Sequence, residues 1–245
     1  METRCDVSSG ILTCYYFYLN LIACFVVCRC GKGDNQHDSI SETNHIYTYA
    51  RLDVATGNFA TENLISADGS FGSVYRADIS PTFQVAVKVM SSDVNSGAHN
   101  LEQFQNEVKT LKNCRHPHLL ALLGHCVDGP QPCLVYEFKT RGCLRTILSE
   151  RPEELEWRRR LVMLEEIASA LDFLHTVMNP PIIHRDIKTA NVLVDSHWNC
   201  TLGDFGIARF TPDADVKPSA STRIIGTPGY IDPEYVSSGN LTIID

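Results

Sequence analysis

Near its start the chain carries an unbroken apolar run. Ile11–Cys28 holds no charged residue, and Asn20 is its only strongly polar side chain. Its 18 residues, rising about 1.5 Å each, make a helix of roughly 27 Å, enough to cross the hydrocarbon layer of a bilayer. Tyr15, Tyr16 and Tyr18 cluster towards one end, as interfacial aromatics do. Arg29 and Lys32 come directly after the run, whereas residues 1–10 mix Glu2, Arg4 and Asp6, so the basic excess places the rest of the chain in the cytosol. The expectation is a single-pass anchor, in the plasma membrane, with a short extracytoplasmic segment at 1–10. A cleaved signal peptide and a buried core helix are the competing readings. Cys24, Cys28 and Cys30 are palmitoylation candidates beside a membrane, or simply small hydrophobes.

Past the run, residues 31–46 are polar and without periodicity, which reads as a linker; the stretch 29–58 as a whole reads as juxtamembrane. Leu64–Ala77 and Phe83–Met90 alternate and are rich in β-branched residues, the signature of strands. Leu101, Phe104, Val108 and Leu111 recur at helical spacing. Leu119–Cys126 and Cys133–Phe138 read as two further strands. Trp157–Val177 is the clearest long helix, with Leu161, Leu164, Ile167, Ala168, Leu171 and Leu174 on one face. Strands, one helix, strands and then mostly helix predict an α+β protein of two lobes, divided into 59–138 and 139–245.

Composition narrows this only a little. A net charge of −8 over 245 residues argues against nucleic acid, which selects basic surfaces. Of the ten cysteines, Cys114, Cys126, Cys133, Cys143 and Cys200 are scattered without CxxC or zinc-finger spacing, and read as reduced cytosolic thiols.

The chemistry lies in short motifs. Gly69-Ser70-Phe71-Gly72-Ser73-Val74 sits between two predicted strands, where glycines let backbone N–H groups approach a phosphate. Any hairpin tip also favours glycine. Lys88 closes Val85-Ala86-Val87-Lys88, and an ammonium inside an apolar strand requires a partner unless it snorkels to the surface. Glu107, amid the Phe104–Leu111 pattern, is a candidate partner or a solvated surface acid. Then comes His184-Arg185-Asp186, with Asn191 five residues past the Asp and Asp204-Phe205-Gly206 thirteen residues past the Asn.

This ordered set resembles the protein kinase family, with Asp232-Pro233-Glu234 where that family has Ala-Pro-Glu. The segment Tyr47–Phe59, the run Leu134–Phe138 and Gly226–Tyr235 are similar to those of plant receptor-like kinases and their Pelle-type relatives. The resemblance implies a bilobal kinase fold and the cofactors ATP and Mg²⁺. It implies that Lys88, held by Glu107, neutralises phosphates, and that Asp204 and Asn191 hold the metal. It assigns Asp186 to accept the substrate hydroxyl's proton and Lys188 to steady the γ-phosphate. Gly69 and Gly72 would flank the phosphates, and Val74, Ala86 and Leu193 would sandwich the adenine. Lys188, two residues after the Asp, resembles serine/threonine kinases. Ser219, Ser221, Thr222 and Thr227 fall in the activation loop, where a phosphate would pair with Arg185; Thr227 is expected to bond Asp186 and Lys188.

Two departures stand out. Ala67 takes the place of the first glycine of the family's G-x-G-x-x-G, and the pattern ends near Thr242, short of the helices that usually floor the second lobe. Uncovered apolar surface costs about 25 cal/mol per Å², so the expectation is an unstable or weakly active chain. The alternative to an enzyme acting on protein Ser/Thr is a kinase-fold module that pairs with a full-length receptor-like relative.

Overall fold

The computed structural model describes residues 45–68, 72–91, 97–211 and 224–239. The run Ile11–Cys28, Gly69, and Ser219, Ser221 and Thr222 lie outside them. Among the described residues no helix is long and apolar enough to cross a membrane.

A six-stranded sheet forms the first lobe. Its strands are β1 (His45–Ile46), β2 (Leu64–Asp68), β3 (Gly72–Ser80), β4 (Phe83–Val89), β5 (Leu122–Cys126) and β6 (Cys133–Glu137), in the order β1-β5-β6-β4-β3-β2. All neighbours are antiparallel except β1 and β5. Helix α1 (Tyr49–Ala55) comes after β1. The juxtamembrane stretch 29–58 thus holds a strand and a helix at its C-terminal end. A two-residue strand is too short to show alternation, and α1 anchors itself through few apolar positions, chiefly Leu52.

Alternation along β4 sends its side chains to two different places. Val85 and Val87 point to an outer core that includes Tyr47, Leu52 and Ala77. Ala86 and Lys88 point to the opposite face. Beneath that face lies the larger core, which runs from Met90, Leu134 and Tyr136 into Leu174, Leu202 and Phe205 of the second lobe. β3 opens on Gly72, whose φ is 106° and whose missing Cβ would fall on the Val89 carbonyl oxygen. Glycine is required there by the close approach of two backbones.

Helix α2 (Gly97–Leu111) packs below the sheet. Phe104 and Leu111 are buried as the spacing predicts, but Leu101 is 48% exposed. The residues buried beside Phe104 are polar: Asn100, Gln103, Glu107 and Thr110, repeating every three or four residues. The second lobe contains α3 (Leu144–Glu150), α4 (Trp157–Asp172) and α5 (Pro233–Ser238). Its short strands are β7 (Gly142–Cys143), β8 (Ile182–Ile183), β9 (Val192–Val194), β10 (Cys200–Leu202) and β11 (Arg209–Phe210). The long helix predicted to Val177 is α-helical to Asp172 and closes in a π turn, Phe173–Val177. Its buried side is set by Met163, Ala170 and Leu174, whereas Leu161 and Leu164 are 43% and 45% exposed. Apolar residues cover more than one face of α4, so periodicity alone could not choose the side turned inward.

Candidate functional site

Two chain reversals build the site. The first, between β8 and β9, carries His184–Asn191; the second, between β10 and β11, carries Gly203–Ala208. β9 and β10 pair in register, Leu193 with Thr201 and Val192 with Leu202, which sets the two reversals side by side. His184 joins them. Its Nδ1 accepts the Asp186 N–H at 3.2 Å and its Nε2 donates to the Gly203 carbonyl at 3.0 Å, with the ring edge-on to Phe205. Burial lowers its pKa, so the ring stays neutral in that one tautomer.

Lys88 reaches down from β4. Its Nζ lies 3.0 Å from Glu107 Oε2 on α2 and 3.0 Å from Asp204 Oδ1. Burial works against that ammonium, but Asp204 first and Glu107 next more than offset it and hold the pKa above the usual lysine value. Burial likewise opposes ionisation of Asp204, yet Lys88 holds it below the usual carboxylate range. The other oxygen of Glu107 accepts the Phe205 N–H at 3.3 Å. Asp204 sits at φ 64°, a left-handed backbone that non-glycine residues adopt only where neighbours hold it.

The second group gathers on Asp186. Asn191 Nδ2 donates to its carbonyl at 2.8 Å and to its Oδ2 at 3.0 Å, and Lys188 Nζ lies 2.8 Å from the same Oδ2. Thr227 donates its hydroxyl to Asp186 Oδ1 at 2.5 Å while accepting from Lys188 Nζ at 2.8 Å. Thr227 thus takes the position the sequence assigned to it. Arg185, also left-handed at φ 67°, turns back to donate from Nε to the Ile207 carbonyl at 2.6 Å.

Lys88, Glu107, Asp186, Lys188, Asn191 and Asp204 are therefore brought together in one cleft. Val74 pairs with Lys88 across β3 and β4, and Ala86 with Tyr136 across β4 and β6. Ala86 and Leu193 pack on the same core from either lobe. The donors suit a hard divalent cation bound with phosphate. Asp204 offers a carboxylate, and Asn191, with its NH₂ turned to Asp186, offers an amide oxygen. No group of three or more His, Cys, Asp or Glu able to hold a metal occurs among the described residues. One carboxylate and one amide oxygen fit a small hard cation such as Mg²⁺, which keeps few protein ligands and takes the rest from phosphate and water.

Sequence reasoning missed Asn106. Its amide Nδ2 donates to the carbonyls of Phe205, Gly206 and Ala208 at 3.3, 3.0 and 2.7 Å. A polar residue in a helix reads as solvated, and nothing in the local sequence pattern points to Asn106.

This cleft, with a lysine and a helix carboxylate on one side and paired reversals bearing Asp186 and Asp204 on the other, is that of a protein kinase. The profile described as protein tyrosine and serine/threonine kinase matches residues 62–243, and the chain belongs to that family. Its similarities lie with plant receptor-like kinases. It is 41% identical to the proline-rich receptor-like protein kinase PERK15 of Arabidopsis thaliana, over 81% of this chain and 38% of that protein. To the serine/threonine-protein kinase PBS1 of the same plant it is 40% identical, over 81% of this chain and 43% of that protein. To the receptor-like kinase LIP2 it is 39% identical, over 81% and 36%. The chain thus spans less than half the length of these relatives.

Proposed function

We propose that this chain transfers the γ-phosphoryl group of Mg·ATP to serine and threonine hydroxyls of proteins. One observation carries the reading: two bonded sets, Glu107–Lys88–Asp204 and Asn191–Asp186–Lys188–Thr227, are set side by side by His184, which bonds both the Asp186 N–H and the Gly203 carbonyl. Lys88 binds phosphate oxygens, with Glu107 fixing its position. Asn191 and Asp204 hold Mg²⁺, which offsets charge on the phosphates when bound. Asp186 orients the substrate hydroxyl and takes its proton. Lys188 steadies the γ-phosphate, and Thr227 holds Lys188 and Asp186 at a fixed separation. Gly69 and Gly72 flank the phosphates, while Val74, Ala86 and Leu193 hold the adenine.

We place this activity at the cytosolic face of a membrane, anchored by Ile11–Cys28 in membrane-proximal signalling. The apolar run and the receptor-like relatives support that placement. A second reading is a kinase-fold module that pairs with a full-length relative. It is favoured by the apolar side chains that α4 leaves exposed, Trp157 at 61% and Val162 at 51% among them.

The test is label transfer from γ-labelled ATP to a generic protein substrate by the wild-type chain and by Asp186→Asn. Loss of the proton acceptor is expected to slow transfer by about 10²–10⁴-fold while Mg·ATP still raises the unfolding temperature. Equal activity of the two proteins would sink the role given to Asp186. A chain that binds no Mg·ATP would leave the interaction module as the better reading.

A further inference from the structure

We infer that Asn106 is a positioning residue for the phosphotransfer proposed above, one that locks the Phe205–Ala208 backbone to helix α2 and thereby fixes where Asp204 points. The inference rests on that proposed reading, but its geometry is independent of it.

One amide nitrogen faces three carbonyl oxygens, those of Phe205, Gly206 and Ala208. Only an NH₂ suits that position, because an oxygen there would meet three other acceptors. The next residue on the helix, Glu107, takes the Phe205 N–H. Two adjacent side chains of α2 thus bind both polarities of one short backbone stretch. A turn earlier, Gln103 lies against Gly206, where an added Cβ would come 3.5 Å from the Gln103 Cβ. On the Leu111 side, Lys109 Nζ stands 4.9 Å from the centre of the Phe210 ring. The seam between α2 and this segment runs through all four positions, and Asn106 supplies most of its hydrogen bonds.

The consequence concerns Asp204. Its left-handed backbone is unfavourable for a residue with a Cβ, and the stretch after it must be held if it is to persist. Asn106 holds it. Lys88 ties α2 to β4 through Glu107, and Asn106 ties α2 to the segment after Asp204. A displacement of α2 therefore breaks the lysine pair and releases the metal-side carboxylate in one event. Asn106 makes the helix and the segment move as a unit, which a lone Lys88–Glu107 contact would not do.

The experiment compares the full chain with Asn106→Asp, which keeps the shape but cannot donate, and Asn106→Ala. Hydrogen exchange of the Phe205–Ala208 amides and phosphotransfer as a function of Mg²⁺, ATP and protein substrate are measured together. Expected are exchange at least about tenfold faster in that stretch alone, a kcat lower by about tenfold, and a raised Mg²⁺ requirement. The KM for the protein substrate should stay within about twofold, a split that general destabilisation would not produce. Unchanged exchange at Phe205–Ala208, or exchange that rises evenly over the whole chain in both variants, would overturn the inference. If the wild-type chain transfers no phosphoryl group, the proposed function falls, and the exchange result still decides the role of Asn106.

Discussion

Replacing Lys88 by Met removes one ammonium from between two carboxylates. Both oxygens lie 3.0 Å from Nζ, so Glu107 Oε2 and Asp204 Oδ1 are no more than 6 Å apart. At an effective dielectric constant of about 20, two negative charges at that distance repel by roughly 3 kcal/mol. Glu107 cannot escape to solvent, since its side chain is 1% exposed. In the wild-type chain Lys88 titrates above the usual lysine value, so its contribution is complete at any pH below the unfolded value of about 10.4. Asp204 is held below the usual carboxylate range, so its contribution persists until the pH falls through that lowered value. Neither group changes state between about pH 5 and pH 8. In the variant Asp204 loses the cation that holds its pKa down while still facing Glu107, so the cost of its charge is relieved as the pH falls. Urea unfolding of both proteins at several pH values measures the difference. The gap is expected to be about 2–3 kcal/mol at pH 8 and to narrow towards pH 5. Phosphotransfer should fall by about 10²–10³-fold at either pH. A gap that is the same at both ends of that range, or transfer within a few-fold of wild type, would refute the reasoning.

The same geometry bears on two further positions. Thr227→Val cuts the bridge between Asp186 and Lys188, and is expected to lower kcat by about ten- to a hundredfold with little effect on the unfolding temperature. Thr227→Ser keeps the hydroxyl and should restore most of the activity in the same assay. Gly72→Ala drives a Cβ into the Val89 carbonyl at positive φ, and chemical denaturation should show a loss of about 1–3 kcal/mol.

The residues of the two reversals were legible as an ordered set, through its resemblance to the kinase motifs rather than through any one of them alone. His184-Arg185-Asp186, Asn191 and Asp204-Phe205-Gly206 keep fixed spacings, since β9 and β10 between them are short and paired. Lys88 was legible for a different reason: a charge inside an apolar alternation is expensive, so it announces a partner. Glu107 could be named only as a candidate, because the face of α2 that turns inward is decided by tertiary packing. That same packing exposes Leu101 and buries Gln103, and it hid Asn106, whose three acceptors come from about a hundred residues along the chain. On α4 apolar residues are plentiful on both sides, and the predicted stripe holds only in its second half: Ile167, Leu171 and Leu174 pack on the core, whereas Leu161 and Leu164 are exposed. β1 left no pattern, as its two residues are held by pairing with Gly124 and His125 rather than by propensity.

The central claim is phosphoryl transfer to hydroxyl groups of serine and threonine through Asp186. It is tested most directly by incubating the chain with Mg²⁺ and γ-labelled ATP and identifying the labelled amino acids in a protein substrate. Label on phosphoserine and phosphothreonine, lost in Asp186→Asn, is the expected result. Label on tyrosine alone, or none with wild-type chain that demonstrably binds Mg·ATP, would contradict it.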